Sequence, residues 1–236
     1  MTIHSYYSMA FLNTGGAGSL IVPWAYVDID LPNRTGQGHL LNLTTKAWSR
    51  TPYLVAGPRC NSAYNPNDGA CYIYPDYQTA DSNVICRVNS DNTVTTYGAP
   101  PQMLIYFWTC IDTTRNYFWI GGINGSGQSR IIAYNCANMG AGPAVDVTLS
   151  VFVDGQTVSA DYVPQLDRIV GVSSSSTIRT LNPASPSSGW ATSSASGSPP
   201  APNNGMLSKY RYYPLLKCFL GASKTSDRAW AYRVVA

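Results

Sequence analysis

The side chains that most often carry catalytic or metal chemistry are few and scattered in this sequence. Its 236 residues include two histidines, His4 and His39, six cysteines and twelve acidic residues, all of them aspartate. Neither histidine lies in a spacing such as CxxC or HExxH that would assemble a zinc site. A GxSxG motif for a nucleophilic serine is absent as well. We therefore expect no metal ion, no other cofactor and no nucleophilic triad.

Paired carboxylates are the remaining candidates for chemistry. Glycoside hydrolases need two carboxyl groups with separated pKa values, and an aspartate pair such as Asp28 and Asp76 is conceivable. Asp28, Asp30 and Asn33 could also offer oxygen ligands to calcium, although an EF-hand loop needs more ligands and a glutamate. Solvated loop side chains explain both groups more simply. We interpret the chain as a protein that is not an enzyme.

Short apolar runs separated by polar turns predict that the chain is built from β-strands. The clearest stretch, residues 103–135, holds three runs rich in β-branched and aromatic residues. The turn between its first two runs recurs, with anchors at Pro66, Thr113, Pro164 and Pro214 that are 47, 51 and 50 residues apart. A four-strand unit that repeats at this spacing is typical of β-propeller blades.

We therefore predict an all-β fold, a single β-propeller domain of about five four-stranded blades. The blades fall approximately at residues 1–56, 57–100, 101–153, 154–204 and 206–236. The fifth blade is short, because no fourth strand follows the run from Ala229 to Val234. Three explanations are open: a three-stranded last blade, a strand supplied by another subunit, or a larger protein of which this chain is a part.

Three segments resemble the repeat of kelch-like propellers, the galactose-oxidase type. Residues 111–122 carry a turn, an apolar strand and a diglycine; residues 41–49 resemble the strand, turn and tryptophan of a blade end; and residues 209–234 resemble a last blade. The resemblance covers most of the chain as a pattern and implies a propeller. The chain departs from it in having fewer blades than such proteins usually have. Five-bladed glycosidases, which the fold resembles, use a glutamate as general acid, and this sequence has none.

The composition of the chain bears on its partners and on its location. Charged residues are only 11% of the chain and the net charge of +3 comes from scattered cations, so we expect no nucleic-acid partner. No apolar stretch approaches the ~18 residues that span a bilayer, so we expect no membrane insertion. The N-terminal residues lack the basic region of a signal peptide. The low-charge, Tyr- and Ser-rich composition predicts a virion surface or extracellular location.

The six cysteines leave two alternatives open. They are Cys60, Cys71, Cys86, Cys110, Cys136 and Cys218. Buried thiols would pack as small hydrophobic groups, whereas an extracellular location would favour at least one disulfide.

Loops expected at one face of the propeller carry aromatic and polar side chains that suit sugars. Aromatic rings stack on the apolar faces of sugar rings, while amides and carboxylates hydrogen-bond the hydroxyls. The candidate ligand-binding residues are Trp24, Tyr26, Asp28, Asp30, Asn33, Asp76, Tyr77, Asn124, Gln128 and Lys224. The alternative is that Trp24 caps a core between blades and the other side chains are solvated.

These sequence features favour two classes of function. In the first, the chain is a structural or decoration component of a virus (phage) particle or extracellular assembly, and its partners are other protein subunits. In the second, it is a glycan- or receptor-binding domain, an adhesin or lectin-like module that contacts cell-surface glycan. A glycoside hydrolase is a third and weaker alternative.

Overall fold

The computed structural model describes most of the chain. The described residues are 10–15, 18–22, 37–53, 60–74, 84–101, 103–151, 153, 157–173, 175–197, 206, 210–221 and 229–234. They form nineteen strands and two short 3-10 turns, Met139–Ala141 and Pro186–Ser188. Within these ranges, no helix has the length and apolar character needed to cross a membrane. The Cα positions group into two compact units, Met1–Met103 with Asn138–Gly142, and Leu104–Ala137 with Pro143–Ala236.

The first unit contains two four-stranded antiparallel sheets whose strands follow chain order. The strands of the first sheet are β1 (Ala10–Leu12), β2 (Ser19–Val22), β3 (Gln37–Asn42) and β4 (Trp48–Tyr53). Those of the second are β5 (Asn61–Asn65), β6 (Ala70–Tyr74), β7 (Cys86–Val88) and β8 (Val94–Thr96). Strand β1 packs against β5 and β6, and Leu12, Ile21 and Ile73 lie in the shared core.

The second unit contains three antiparallel sheets. The strands of the third sheet are β9 (Ile105–Asp112), β10 (Tyr117–Ile123), β11 (Ser129–Asn135) and β12 (Val145–Leu149). Those of the fourth are β13 (Val158–Val163), β14 (Arg168–Ser173), β15 (Thr177–Leu181) and β16 (Trp190–Ser194). The fifth sheet comprises β17 (Tyr210–Tyr213), β18 (Cys218–Gly221) and β19 (Trp230–Arg233) in the described residues. The first strands of successive sheets are neighbours, since β13 packs against both β9 and β17.

Repeated antiparallel sheets of this kind are the blades of a β-propeller, and the predicted all-β propeller of five blades is confirmed. The division into one domain with the blade boundaries given above stays a prediction. All six cysteines are buried, which agrees with the alternative that they pack as small hydrophobic groups.

The turns between first and second strands share one backbone feature. In all five sheets the residue before the second strand has a left-handed conformation: Gly18 (φ 76°), Gly69 (φ 70°), Asn116 (φ 56°), Asp167 (φ 50°) and Lys217 (φ 50°). Glycine adopts this conformation freely, and asparagine and aspartate tolerate it better than other residues. Lysine has no such advantage, so the turn of the fifth sheet is the most strained of the five.

An asparagine stands at the end of the third strand in four of the five sheets and starts the turn to the fourth strand. In three of them the side-chain Oδ1 accepts the backbone N–H of the residue two positions later. The pairs are Asn42 with Thr44 (2.9 Å), Asn135 with Ala137 (2.9 Å) and Asn182 with Ala184 (3.1 Å). In the second sheet Asn89 Nδ2 donates to Thr93 Oγ1 at 2.9 Å. Asparagine favours such turns because its side chain mimics a backbone carbonyl. The fifth sheet has Arg233 at this position.

Close packing against β9 explains the two consecutive glycines of β10. A Cβ atom on Gly121 would overlap the indole ring of Trp108 on the neighbouring strand β9. A Cβ on Gly122 would lie 2.9 Å from the carbonyl oxygen of Ile105, where the pairing of β9 with β10 shifts register. Both Trp108 and Trp119 are fully buried in the core of this unit. The two glycines therefore let a large aromatic core form against the backbone.

Candidate functional site

Eight of the ten predicted ligand-binding residues lie outside the described residues. They are Trp24, Tyr26, Asp28, Asp30, Asn33, Asp76, Tyr77 and Lys224. The other two, Asn124 and Gln128, lie together in the loop between β10 and β11. Their role in binding a glycan stays a prediction.

Asn124 and Gln128 close this loop through hydrogen bonds to each other. Asn124 Nδ2 donates to Gln128 Oε1 at 3.0 Å, and Asn124 Oδ1 accepts the N–H of Ser126 (3.1 Å) and of Gln128 (2.9 Å). The Asn124 side chain is buried, whereas Gln128 is exposed. Asn124 thus fixes the loop, and Gln128 is the member of the pair that solvent can reach.

A charged cluster joins the turn after β9 to the turn after β13. Arg115 contacts Asp112 through Nη1 at 2.9 Å and binds both carboxylate oxygens of Asp167, at 2.6 and 2.7 Å. Asp112 is fully buried, and its Oδ1 accepts the N–H groups of Thr114 and Arg115. The hydrogen bonds from Arg115, with a further one from Tyr162, hold the pKa of Asp167 well below its usual value. The cluster therefore binds two sheets together, and Asp167 is an ionised structural group that cannot serve as a general acid at neutral pH.

Two tyrosine hydroxyls also connect neighbouring sheets. Tyr162 Oη lies 2.7 Å from Thr114 Oγ1 in the turn after β9, and also 2.7 Å from Asp167 Oδ1. Fifty residues later, the Tyr212 hydroxyl donates to Gln165 Oε1 in the turn after β13, at 2.7 Å. In each case a tyrosine on the first strand of one sheet reaches the middle of the turn in the preceding sheet. These pairs were not predicted from the sequence, although the spacing of the two tyrosines matches the repeat.

A half-buried ion pair lies between β13 and β17. Asp161 Oδ2 is 3.3 Å from Arg211 Nε and accepts the N–H of Tyr212 at 3.2 Å. Arg211 Nη1 also donates to the carbonyl oxygen of Thr109 on β9, at 3.2 Å. Burial raises the pKa of Asp161, and the positive charge of Arg211 opposes that rise. Because each of these polar groups is engaged by another, the pair stabilises the packing of the first strands rather than acting as a free acid or base.

The thiol next to this pair is unreactive. Cys110 on β9 is fully buried, and burial raises its pKa well above the usual thiol value. A thiol in that state remains protonated at neutral pH and is a poor nucleophile. The described part of the chain also contains no group of three or more His, Cys, Asp or Glu side chains that could hold a metal ion.

The turn between β17 and β18 is unlike its counterparts. We call residues Tyr213–Lys217 the apolar turn: Leu215 is 98% exposed, Leu216 60% and Tyr213 51%. The equivalent turns, residues 112–116 and 163–167, place Thr114 and Gln165 where the apolar turn has Leu215. Those two side chains hydrogen-bond tyrosines of the next sheet, whereas the leucine is presented to solvent. These three neighbouring apolar side chains in water make the apolar turn a candidate contact surface.

Comparisons with known proteins bear on the fold. No protein-family model and no curated protein sequence matches the chain. Among solved structures, the chain is similar to one titled "Crystal structure of Nidogen/Laminin Complex", with 11% identity, a TM-score of 0.56, and coverage of 97% of this chain and 80% of that chain. It is also similar to "The structure of putative TolB from Agrobacterium tumefaciens", with 14% identity, a TM-score of 0.55, and coverage of 94% and 72%. Both are β-propeller proteins, and at such low identity the similarity shows the fold alone.

Proposed function

We propose that this chain is a non-catalytic interaction module, a structural or decoration component of a virus (phage) particle or another extracellular assembly. Its partners are other protein subunits of that assembly, and its place is the virion surface or the outside of the cell. The observation that carries the proposal is the apolar turn, with Leu215 98% exposed.

The free-energy scale of the apolar turn supports a docking role. Full burial of a leucine side chain contributes about 1.5–3 kcal/mol, so Leu215 and Leu216 together could contribute several kcal/mol to a complex. Tyrosine is enriched among the residues that dominate interface energies, and Tyr213 adjoins the two leucines. Arg115, Asp112 and Asp167 in the two preceding turns are already paired with one another, which favours an apolar protein partner over an anionic one.

Two further observations support the proposal more loosely. One of the similar structures was solved as a complex of nidogen with laminin, so a propeller does occur in a protein complex of that kind. The diglycine at Gly121-Gly122, packed against Trp108, supports assigning the repeat to the kelch-like type, a class we propose on pattern alone. A glycan-binding role has less support, because Asn124 is occupied within its own loop.

Site-specific photo-cross-linking tests the proposal. The full chain carries a benzoylphenylalanine at position 215, and a matched control carries it at position 165, the equivalent place in the preceding turn. Each is incubated with particles and culture fluid of the source, irradiated, and the adducts are identified by mass spectrometry. We expect a discrete protein adduct at position 215 that is absent or at least tenfold weaker at position 165.

Two results would overturn the proposal. Equal, diffuse labelling at both positions would mean that the apolar turn has no dedicated partner. Turnover of any polysaccharide by the purified chain, measured as release of reducing ends, would show that the protein is an enzyme. A screen on a glycan array with selective binding and no protein adduct would favour the lectin-like alternative.

A further inference from the structure

Strand β19 has an open edge in the described part of the fifth sheet. In the other four sheets the third strand pairs with a second strand on one side and a fourth strand on the other. Strand β19 pairs with β18 alone among the described residues. An unpaired strand edge presents backbone donors and acceptors in a row, which makes it a template for another strand.

The register identifies which backbone groups form this edge. The N–H of Val234 donates to the carbonyl oxygen of Lys217 at 3.1 Å, so the backbone of Val234 faces β18. Backbone groups alternate in direction along a strand, so Trp230 and Tyr232 face β18 as well. The N–H and C=O groups of Ala231 and Arg233 therefore point away from the sheet. Both residues are exposed, as an unpaired edge requires.

The fifth sheet lacks the asparagine that starts the turn to the fourth strand in the other sheets. Each of those sheets has an asparagine at the end of its third strand, and in three of them, at Asn42, Asn135 and Asn182, its side-chain oxygen accepts a backbone N–H of the turn. Register places Arg233 at this position, since it pairs with Cys218, the first residue of β18, as Asn135 pairs with Tyr117, the first residue of β10. Arginine cannot form this turn through a side-chain oxygen, because its side chain only donates.

The side chains of β19 are incompletely covered, as they would be without a fourth strand. Trp230, Tyr232 and Val234 pack against the core of the fourth and fifth sheets but are only partly buried. The rings of Trp230 and Tyr232 are stacked, with centroids 5.8 Å apart and planes 8° from parallel. In three other sheets the residue equivalent to Tyr232 faces the first residue of the fourth strand, in the pairs Leu41–Trp48, Val88–Val94 and Leu181–Trp190. A strand that begins with tryptophan or a β-branched residue thus fits opposite Tyr232.

We propose that β19 binds an extended strand of another polypeptide by antiparallel strand addition. The added strand places a tryptophan or β-branched residue opposite Tyr232, continues with small polar residues as in β16, and carries an acidic residue opposite the exposed Arg233. This inference rests on the proposed function in one respect: the strand belongs to another protein of the same assembly. Backbone hydrogen bonds to Ala231 and Arg233 supply affinity, and the residue facing Tyr232 supplies specificity.

A peptide that copies residues 189–197 of this chain is the probe. It contains β16, whose Trp190 faces the equivalent of Tyr232 in its own sheet. A second peptide has aspartate in place of the first glycine, which register places opposite Arg233, and a third has serine in place of the tryptophan. Binding to the full chain is measured by calorimetry, and amide hydrogen exchange follows Ala231 and Arg233 individually.

We expect the aspartate peptide to bind most tightly and the serine peptide at least tenfold more weakly, with Ala231 and Arg233 becoming protected. The variant Ala231→Pro removes one outward N–H without touching the pairing to β18, since proline is tolerated where the N–H faces solvent. It should bind the peptide at least tenfold more weakly, while Ala231→Ser, which retains the N–H, binds like the original chain. Circular dichroism of both variants checks that they fold alike.

Three outcomes would overturn the inference. Protection of Ala231 and Arg233 in the dilute chain without peptide would show that the chain covers this edge itself. Protection that appears with rising protein concentration, together with a doubled mass in light scattering, would show that a second copy is the occupant. Exchange that the peptides leave unchanged would show that the edge does not accept a strand. The cross-linking result at position 215 is independent of all three, so the proposed function and the strand site can fail separately.

Discussion

Two buried tyrosines in the second unit provide a matched test of how polar contacts stabilise this fold. Tyr162 and Tyr134 are 4% and 3% exposed. The hydroxyl of Tyr162 lies 2.7 Å from both Asp167 and Thr114, whereas that of Tyr134 has no hydrogen-bond partner among the described residues. Replacing each by phenylalanine removes the same single oxygen atom. The difference between the two variants therefore isolates the contribution of the hydrogen bonds.

The expected changes in the free energy of unfolding follow from these contacts. A neutral hydrogen bond contributes about 1 kcal/mol and one to a charged group about 1.5–3 kcal/mol. The Asp167 side chain is 44% exposed, so water can replace part of the interaction and we take the low end. We expect Tyr162→Phe to lower the free energy of unfolding by about 1–2 kcal/mol. Tyr134→Phe should leave it unchanged or raise it by up to about 1 kcal/mol, because a buried hydroxyl without a partner is unfavourable.

Urea unfolding followed by tryptophan fluorescence measures both variants against the original chain. The slope of the free energy with urea concentration must be the same in all three proteins for the comparison to hold. Equal losses in the two variants would refute the reasoning, since they would mean that the contacts between Tyr162 and the neighbouring turn contribute nothing. A loss above about 1 kcal/mol in Tyr134→Phe would show that its hydroxyl has an important partner.

Three further predictions concern packing, pH and turn chemistry. Gly121→Ala should lower the free energy of unfolding by about 1–3 kcal/mol, because the added methyl group overlaps Trp108. Gly125→Ala, with open space around its Cβ, should lower it much less. Comparable melting temperatures of the two variants would contradict this prediction. Burial raises the pKa of Tyr134 to about 12, so between about pH 10 and 12 the unfolded chain releases this proton and the folded chain retains it. Stability should therefore fall by about 3 kcal/mol over that range, and Tyr134→Phe should remove this part of the loss in alkaline urea titrations. Asn182→Ala should cost about 1 kcal/mol through loss of its hydrogen bond to the turn, and an unchanged urea midpoint would count against the role given to the asparagines.

The repeat itself was predictable because its signals are local. Strand runs such as residues 117–120 are marked by β-branched and aromatic residues between turn formers, and these preferences act between neighbours in sequence. The asparagine at the end of third strands is just as local and could have been found by aligning Asn42, Asn89, Asn135 and Asn182. The fifth copy departs from this pattern, because it has Arg233 at the same position.

The candidate surfaces were not predictable in the same way. Nothing in the letters of residues 213–217 distinguishes an exposed turn from one that packs against a neighbour, and exposure of Leu215 becomes visible only when the surrounding sheets are placed. The predicted loop residues Asn124 and Gln128 likewise turned out to bond each other, because an amide cannot reveal from sequence whether its partner is a ligand or a neighbour.

The sequence alone determined that this protein is an all-β array of repeated sheets, since strand periodicity and turn residues are properties of short segments. Only the tertiary structure decided which repeats touch. Arg115 and Asp167 are 52 residues apart, and their contact depends on how two sheets pack, a property to which no local preference contributes. The edge of β19, unpaired among the described residues, depends on both. The sequence shows that Arg233 stands where the other sheets have asparagine, but only the register of the fifth sheet shows which backbone groups lie at that edge.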